Sequence, residues 1–140
     1  MAESFRESPK QGVHRVAALD VSSIRADATG AGFATFVLPA QSIVDSESFF
    51  AAARETFPLN PPVTSSGNWN GLSDSLWQSL YEHESSRIVV LWPGAREMQV
   101  GAPSDFEIAV AVLSDAATTL ADPKATVGRP KVVAVLIEQD

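Results

Sequence analysis

The sequence predicts an α/β fold, a small layer domain in which helices flank a central three-stranded parallel sheet. Three short apolar runs, at 33–38, 88–92 and 132–137, lack the alternation of apolar and polar residues that marks a half-exposed strand. Continuous apolar strands are typical of parallel sheets that are covered on both faces. A helical segment separates each run from the next, as crossovers between parallel strands require.

The first third of the chain is predicted to add an N-terminal strand and a short helix to this sheet. Residues 1–12 are polar and include Pro9, which predicts a flexible tail before a single domain over 13–140. A short edge strand is expected at 13–19, followed by a helix at 21–28 that ends near Gly30. The run at 33–38, between Gly32 and Pro39, is read as a buried strand.

Two amphipathic helices are predicted in the middle of the chain. The first spans 46–56, because Asp45 is a suitable N-cap and Phe49 and Phe50 supply a buried face. The second spans 68–80, with Asn68 as its N-cap. The strand at 88–92 follows, and 95–103 is read as a connector because it shows no clear period.

The last third is predicted to hold one long helix and the final strand. Ser104 and Glu107 have the spacing of a capping box, which predicts that the helix starts there. Apolar residues then keep helical spacing until Pro123. The uninterrupted run at 132–137 completes the sheet.

Composition narrows the classes of function. The chain has 140 residues, enough for one core, and its net charge is −7. Few basic residues are available to neutralise phosphates, so a basic protein partner is favoured over nucleic acid. No membrane span and no secretory signal are recognisable, and cysteine is absent, so a cytoplasmic protein is expected. His14 and His83 are far apart in sequence, and no metal or other cofactor is expected.

The helix at 68–80 is the most informative stretch because its residues sort into two faces. Trp69, Leu72, Leu76 and Leu80 recur at spacings of three and four and form an apolar stripe. Asn70, Asp74 and Trp77 fall together on another face. An acid beside a large aromatic side chain on an outer face indicates a surface that binds a partner.

Motifs for enzymatic chemistry are missing. The sequence contains no nucleophile elbow, phosphate-binding loop, dinucleotide-binding glycine motif or zinc-protease motif. A carboxylate pair made by Asp74 with Asp115 or Glu107 would be needed for a small hydrolase, and this stays a minor alternative. The sequence therefore favours a binding protein over an enzyme.

The stretch Asn-Trp-Asn-Gly-Leu-Ser-Asp-Ser-Leu at 68–76 resembles the signature of the barstar family. Members of that family are intracellular inhibitors of secreted guanyl-type microbial ribonucleases. The order of predicted elements over 32–138 is similar to the family's as well. The resemblance implies a barstar-like fold and a basic microbial ribonuclease as the partner, bound by a monomer in a 1:1 complex.

The resemblance also implies roles for individual residues. The family's second acid enters the ribonuclease site in place of a substrate phosphate, and Asp74 matches it, whereas Asn70 replaces the first acid. In a second register, Asp74 would match the first acid and Gln78 the critical position. The implied ribonuclease-binding set is Asp74, Asn70, Trp77, Gln78, Ser73, Asn68, Trp69 and Asp115. The alternative is a barstar-fold protein that binds a non-ribonuclease toxin or a regulatory partner.

Overall fold

A computed structural model describes residues 11–64 and 67–138, and it contains one sheet with helices on both faces. The strands are β1 (Gly12–Val16), β2 (Ala34–Val37), β3 (Arg87–Trp92) and β4 (Val132–Glu138). The helices are α1 (Val21–Gly30), α2 (Ser46–Thr56), α3 (Trp69–Glu82), α4 (Ala95–Gly101) and α5 (Pro103–Leu120). All strand pairs are parallel, in the order β1-β4-β3-β2, which confirms the predicted α/β class and the added N-terminal strand and helix.

The two faces of the sheet are covered unequally. Ile88, Val90 and Trp92 of β3 point into a large core that includes apolar residues of α2, α3, α4 and α5. Val89 and Leu91 point the other way, into a smaller core closed by α1. Since both faces of β3 and β4 are buried, these strands have the continuous apolar sequences that a covered parallel sheet requires.

β2 differs from the buried strand that the sequence predicted. It lies at an edge of the sheet, and all four of its residues are only half-buried. Phe33 and Leu38, which flank it, are buried. The prediction was wrong because a short apolar run at a sheet edge has the same sequence pattern as a central strand.

β1 forms the opposite edge and is shorter than predicted. It ends at Val16, two exposed alanines follow, and the predicted strand at 13–19 is therefore too long. The backbone amide of Leu19 donates to the Glu138 carboxylate at 2.9 Å, which fixes the turn into α1. Asp20 caps α1 by accepting a hydrogen bond from the Ser23 amide.

The segment between β3 and the long helix corrects two predictions. Residues 95–101, read as a connector, form α4, a helix of seven residues that is too short to show a clear period. α5 begins at Pro103, and its N-cap Ala102 has no side-chain hydrogen bond, so the capping box of Ser104 and Glu107 does not form. Proline is favoured at the first helical position, and here it moves the start of the helix one residue earlier than predicted.

Candidate functional site

The start of α3 is fixed by a cap and by an aromatic cluster. The Asn68 side chain accepts a hydrogen bond from the Gly71 amide at 3.0 Å, which confirms the predicted N-cap. Trp69 is half-buried, and its ring packs edge-on against Phe50 of α2 at 4.8 Å between centroids and also contacts Phe49. These two residues therefore anchor the helix that carries the family motif.

The inner face of α3 is buried and holds more than apolar residues. Leu72, Leu76 and Leu80 are at most 2% exposed, as the apolar stripe predicts. Ser75 is also buried, and its hydroxyl donates to the Pro61 carbonyl at 2.5 Å. This hydrogen bond ties α3 to the loop that precedes it, a role that spacing in the sequence does not reveal.

The outer face of α3 presents Asn70 and Asp74, which are both exposed. They are four residues apart and therefore lie on neighbouring turns of one helix face. Ser73, between them in sequence, is half-buried. An exposed carboxylate on a helix whose opposite side is packed has a fixed position and is free to accept hydrogen bonds from a partner.

Trp77 is not fully exposed, in contrast to the open outer-face position that the helical spacing predicts. It is half-buried and stacks on Tyr81, with ring centroids 4.9 Å apart and planes at 19°. The Arg129 guanidinium carbon lies 5.1 Å from the Tyr81 ring centroid, and the Tyr81 hydroxyl donates to the Thr126 carbonyl at 2.9 Å. The three side chains Trp77, Tyr81 and Arg129 form what we call the aromatic stack.

Tyr81 and Arg129 were missed in the sequence analysis. The spacing of four residues between Trp77 and Tyr81 is a signal for a stacked pair on a helix and could have identified Tyr81. Arg129 comes from the loop between α5 and β4, and nothing local in the sequence connects it with α3.

Gln78 takes part in a hydrogen-bond network at the end of α3. The Glu82 carboxylate accepts a hydrogen bond from the Asn60 side chain at 2.9 Å and another from Gln78. Both bonds favour the charged carboxylate, so they lower the pKa of Glu82. Gln78 is half-buried in this network, which fastens α3 to the preceding loop.

Asp115 lies on α5, which packs directly against α3. Its side chain is exposed, while its backbone carbonyl accepts a hydrogen bond from the Thr119 hydroxyl. Its neighbours Leu113 and Ala116 are buried, so the helix is anchored on either side of this acid. The predicted site residues are thus divided between exposed acids and amides and half-buried anchors.

Three surface clefts lie near β2, near α2 and at the loop after α2, and the residues that line them do not include Asp74 or its neighbours on α3. Within 11–64 and 67–138, no group of three or more histidines and acids is arranged to hold a metal ion. None of the helices described there is long and apolar enough to cross a membrane.

Comparison with known proteins identifies the family. The family model described as Barstar (barnase inhibitor) matches residues 33–130, which include β2, β3 and the helices α2 to α5 and end in the loop before β4. Searches of curated proteins and of solved structures found no match. Because the family model matches more than half of the 140 residues, this chain belongs to the barstar family.

Proposed function

We propose that this protein inhibits a secreted guanyl-specific microbial ribonuclease by covering its active site with the outer face of α3. The proposal rests on the exposed carboxylate of Asp74 and on membership of the barstar family; in the register that we prefer, Asp74 matches the second acid of the family motif. The protein would act from the cytoplasm as a non-enzymatic 1:1 inhibitor that needs no cofactor.

The chemistry of the target explains why a carboxylate is suited to this position. A ribonuclease binds the phosphate of its substrate through cationic side chains and hydrogen-bond donors. The Asp74 carboxylate can accept hydrogen bonds from the same groups and can pair with their charge. The net charge of −7 also attracts a basic partner over distance and raises the association rate at low salt.

The residues around Asp74 would form the rest of the interface. Asn70 offers an amide one turn earlier, and Ser73 a hydroxyl beside it. Trp77 and Gln78 follow one turn later, and Asp115 adds a second acid from α5. Asn68 and Trp69 would contribute at the rim, since they already hold the start of the helix.

The contacts of Gln78 support the register that makes Asp74 the central residue. In the second register, Gln78 would occupy the critical position, but its side chain is engaged with Glu82. Asp74 is exposed and has no such partner among the described residues. An uncommitted carboxylate is the better phosphate mimic.

The proposal is tested by titrating the protein against several guanyl-specific microbial ribonucleases while RNA cleavage is followed. Inhibition at stoichiometric amounts is expected for at least one nuclease, and no inhibition by excess protein of any of them would contradict the proposal. Asp74→Ala should weaken binding by about 2–5 kcal/mol, since it leaves the partner's buried cations unpaired. Asp115→Ala is the matched control, an exposed acid on the neighbouring helix, and its effect should be far smaller.

The alternative, a barstar-fold protein that binds a non-ribonuclease toxin or a regulatory partner, is favoured by Asn70, which lacks the charge of the family's first acid. Purification of the tagged full chain from its source cell distinguishes the two. Recovery of a stable partner without nuclease activity, together with no ribonuclease inhibition, would favour the alternative.

A further inference from the structure

The outer edge of β2 carries backbone groups that have no partners among the described residues. On one side β2 pairs with β3, from Ala34 opposite Ile88 to Val37 opposite Leu91, and no described strand lies on the other side. The Leu38 amide donates to the Leu91 carbonyl at 2.9 Å, and backbone groups alternate in direction along a strand. The N–H and C=O groups of Thr35 and Val37 therefore point away from the sheet.

A groove of about 670 Å³ runs along this edge. Val21 and Arg25 of α1 line it on one side of the sheet, and Glu55 and Thr56 of α2 line it on the other. The Thr35 hydroxyl is buried beside it and has no hydrogen-bond partner among the described residues. The groove therefore combines an open strand edge, an unused hydroxyl and one charge of each sign.

The charges decide between two occupants that could supply a neighbouring strand. A second copy of this chain would pair edge to edge about a two-fold axis, which keeps equivalent helices on the same side of the joined sheet. Arg25 of both copies would then lie on one side of the joined sheet and Glu55 of both copies on the other, so like charges would gather on each side of the joint. An extended segment from a different protein avoids this repulsion and can complement both charges.

We propose that the open edge of β2 binds an extended segment of a partner protein by strand addition, with an acidic side chain facing Arg25 and a basic one facing Glu55. Thr35 and Val37 supply two N–H donors and two C=O acceptors to the added strand. Successive side chains of a strand point to opposite faces, so the acid and the base of the partner are adjacent in sequence or an odd number of residues apart. The proposal is independent of ribonuclease inhibition, because it uses none of the residues on the outer face of α3.

The test uses the full chain, labelled with nitrogen-15, and a synthetic six-residue peptide with blocked ends. The peptide has an aspartate–lysine pair at its centre and valine and threonine on either side. The amide signals of Thr35 and Val37 are expected to shift on titration, while those of Asn70 and Asp74 stay unchanged. A peptide that shifts no amide of β2 at millimolar concentration would overturn the proposal.

Two variants distinguish strand addition from loose contact. Val37→Pro removes an N–H that faces the groove but leaves the ladder to β3 intact, so peptide binding should weaken at least tenfold. Val37→Thr keeps that N–H and is the control, with unchanged binding expected. Equal binding by the proline variant would refute pairing through the backbone.

Glu55→Lys gives a test that does not depend on folding of the proline variant, because Glu55 is an exposed residue on α2. Wild type should bind the aspartate–lysine peptide more tightly than a peptide in which glutamate replaces the lysine. The Glu55→Lys variant should instead bind the glutamate peptide more tightly, by about tenfold. An unchanged preference would overturn the assignment of the charges. If the wild-type chain self-associates and Val37→Pro abolishes this, the occupant of the β2 edge is a second copy of this chain, and the proposal of a different partner protein is overturned.

Discussion

Leu76 and Asp74 are two residues apart on α3, but they lie on different faces of the helix. We expect Leu76→Ala to lower the stability of the fold with little effect on binding, and Asp74→Ala to weaken binding with little effect on stability. Leu76 is 2% exposed in the main core, and its alanine variant loses three carbons of buried side chain. At about 0.8 kcal/mol per carbon, the transfer term is roughly 2.4 kcal/mol. The cavity left behind adds to it, so we expect a loss of about 3 kcal/mol in the free energy of unfolding.

This loss can be measured by calorimetry or thermal circular dichroism at neutral pH. The unfolding entropy of a 140-residue domain is about 0.29 kcal/mol per kelvin, so Leu76→Ala should lower the Tm by roughly 10 °C. Asp74→Ala should change the Tm by less than about 2 °C, because an exposed helix acid contributes little to folding.

Ribonuclease titration then provides the second half of the test, at a temperature well below both Tm values. Asp74→Ala should lose roughly 30- to 5,000-fold in affinity, while folded Leu76→Ala should stay within about threefold of wild type. The separation of the two faces would be refuted if Leu76→Ala lowered the Tm by less than about 3 °C. It would also be refuted if Leu76→Ala weakened binding as much as Asp74→Ala.

Three further substitutions test other contacts. Gly94→Ala should destabilise the fold by about 3 kcal/mol, since an added Cβ would collide with the Ala40 carbonyl oxygen, and thermal unfolding measures this. Asp45→Asn should remove the part of the acid sensitivity that Asp45 contributes: hydrogen bonds from Ser48 lower the Asp45 pKa, so this stabilisation is present above the unfolded pKa of about 3.9 and disappears as pH falls through the folded value. Tyr81→Phe should cost about 1 kcal/mol by urea unfolding, because only the hydrogen bond to the carbonyl of Thr126 is lost.

Matched controls separate these effects from general damage. Gly30→Ala places a Cβ in open space at the end of α1 and should stabilise by about 0.4–1 kcal/mol, so similar losses at both glycines would contradict the steric argument. For Asp45, the gap in Tm between wild type and Asn variant should shrink as pH falls from 5 to 2, and a constant gap would argue against the carboxylate. For Tyr81, the tryptophan fluorescence of the Phe variant, to which Trp77 contributes together with Trp69 and Trp92, should change little if the aromatic stack persists.

Much of the fold is predictable because local patterns and tertiary contacts agree. The stripe of Leu72, Leu76 and Leu80 on α3 is buried as its spacing requires, and Asp45 and Asn68 cap the helices that they precede. β3 and β4 are the two central strands of the sheet, as their continuous apolar sequences predict for strands that are covered on both faces. In these elements the residue pattern is compatible with only one structure, so the spacing of apolar and capping residues is enough to predict it.

The errors occur where a local pattern is compatible with two structures. α4 has seven residues and is too short to show a helical period. Both Pro103 and Ser104 are suited to the start of a helix, and α5 begins at Pro103, one residue earlier than predicted. The edge position of β2 depends on which strands pair, and that is a property of the topology rather than of residues 33–38. Arg129 likewise reaches Tyr81 only because α5 and β4 bring their connecting loop against α3.

α3 holds an exposed acid in a fixed place because both ends of the helix are anchored. Its start is held by Asn68 and Trp69, and its end by Lys131, which is 5% exposed. The Lys131 ammonium donates to the carbonyls of His83 and Ser85 at the end of the helix, although burial and the charge of Arg129 lower its pKa. A helix fixed at both ends loses little conformational entropy on binding. The contacts of an acid on its outer face therefore contribute to affinity without the cost of ordering the helix.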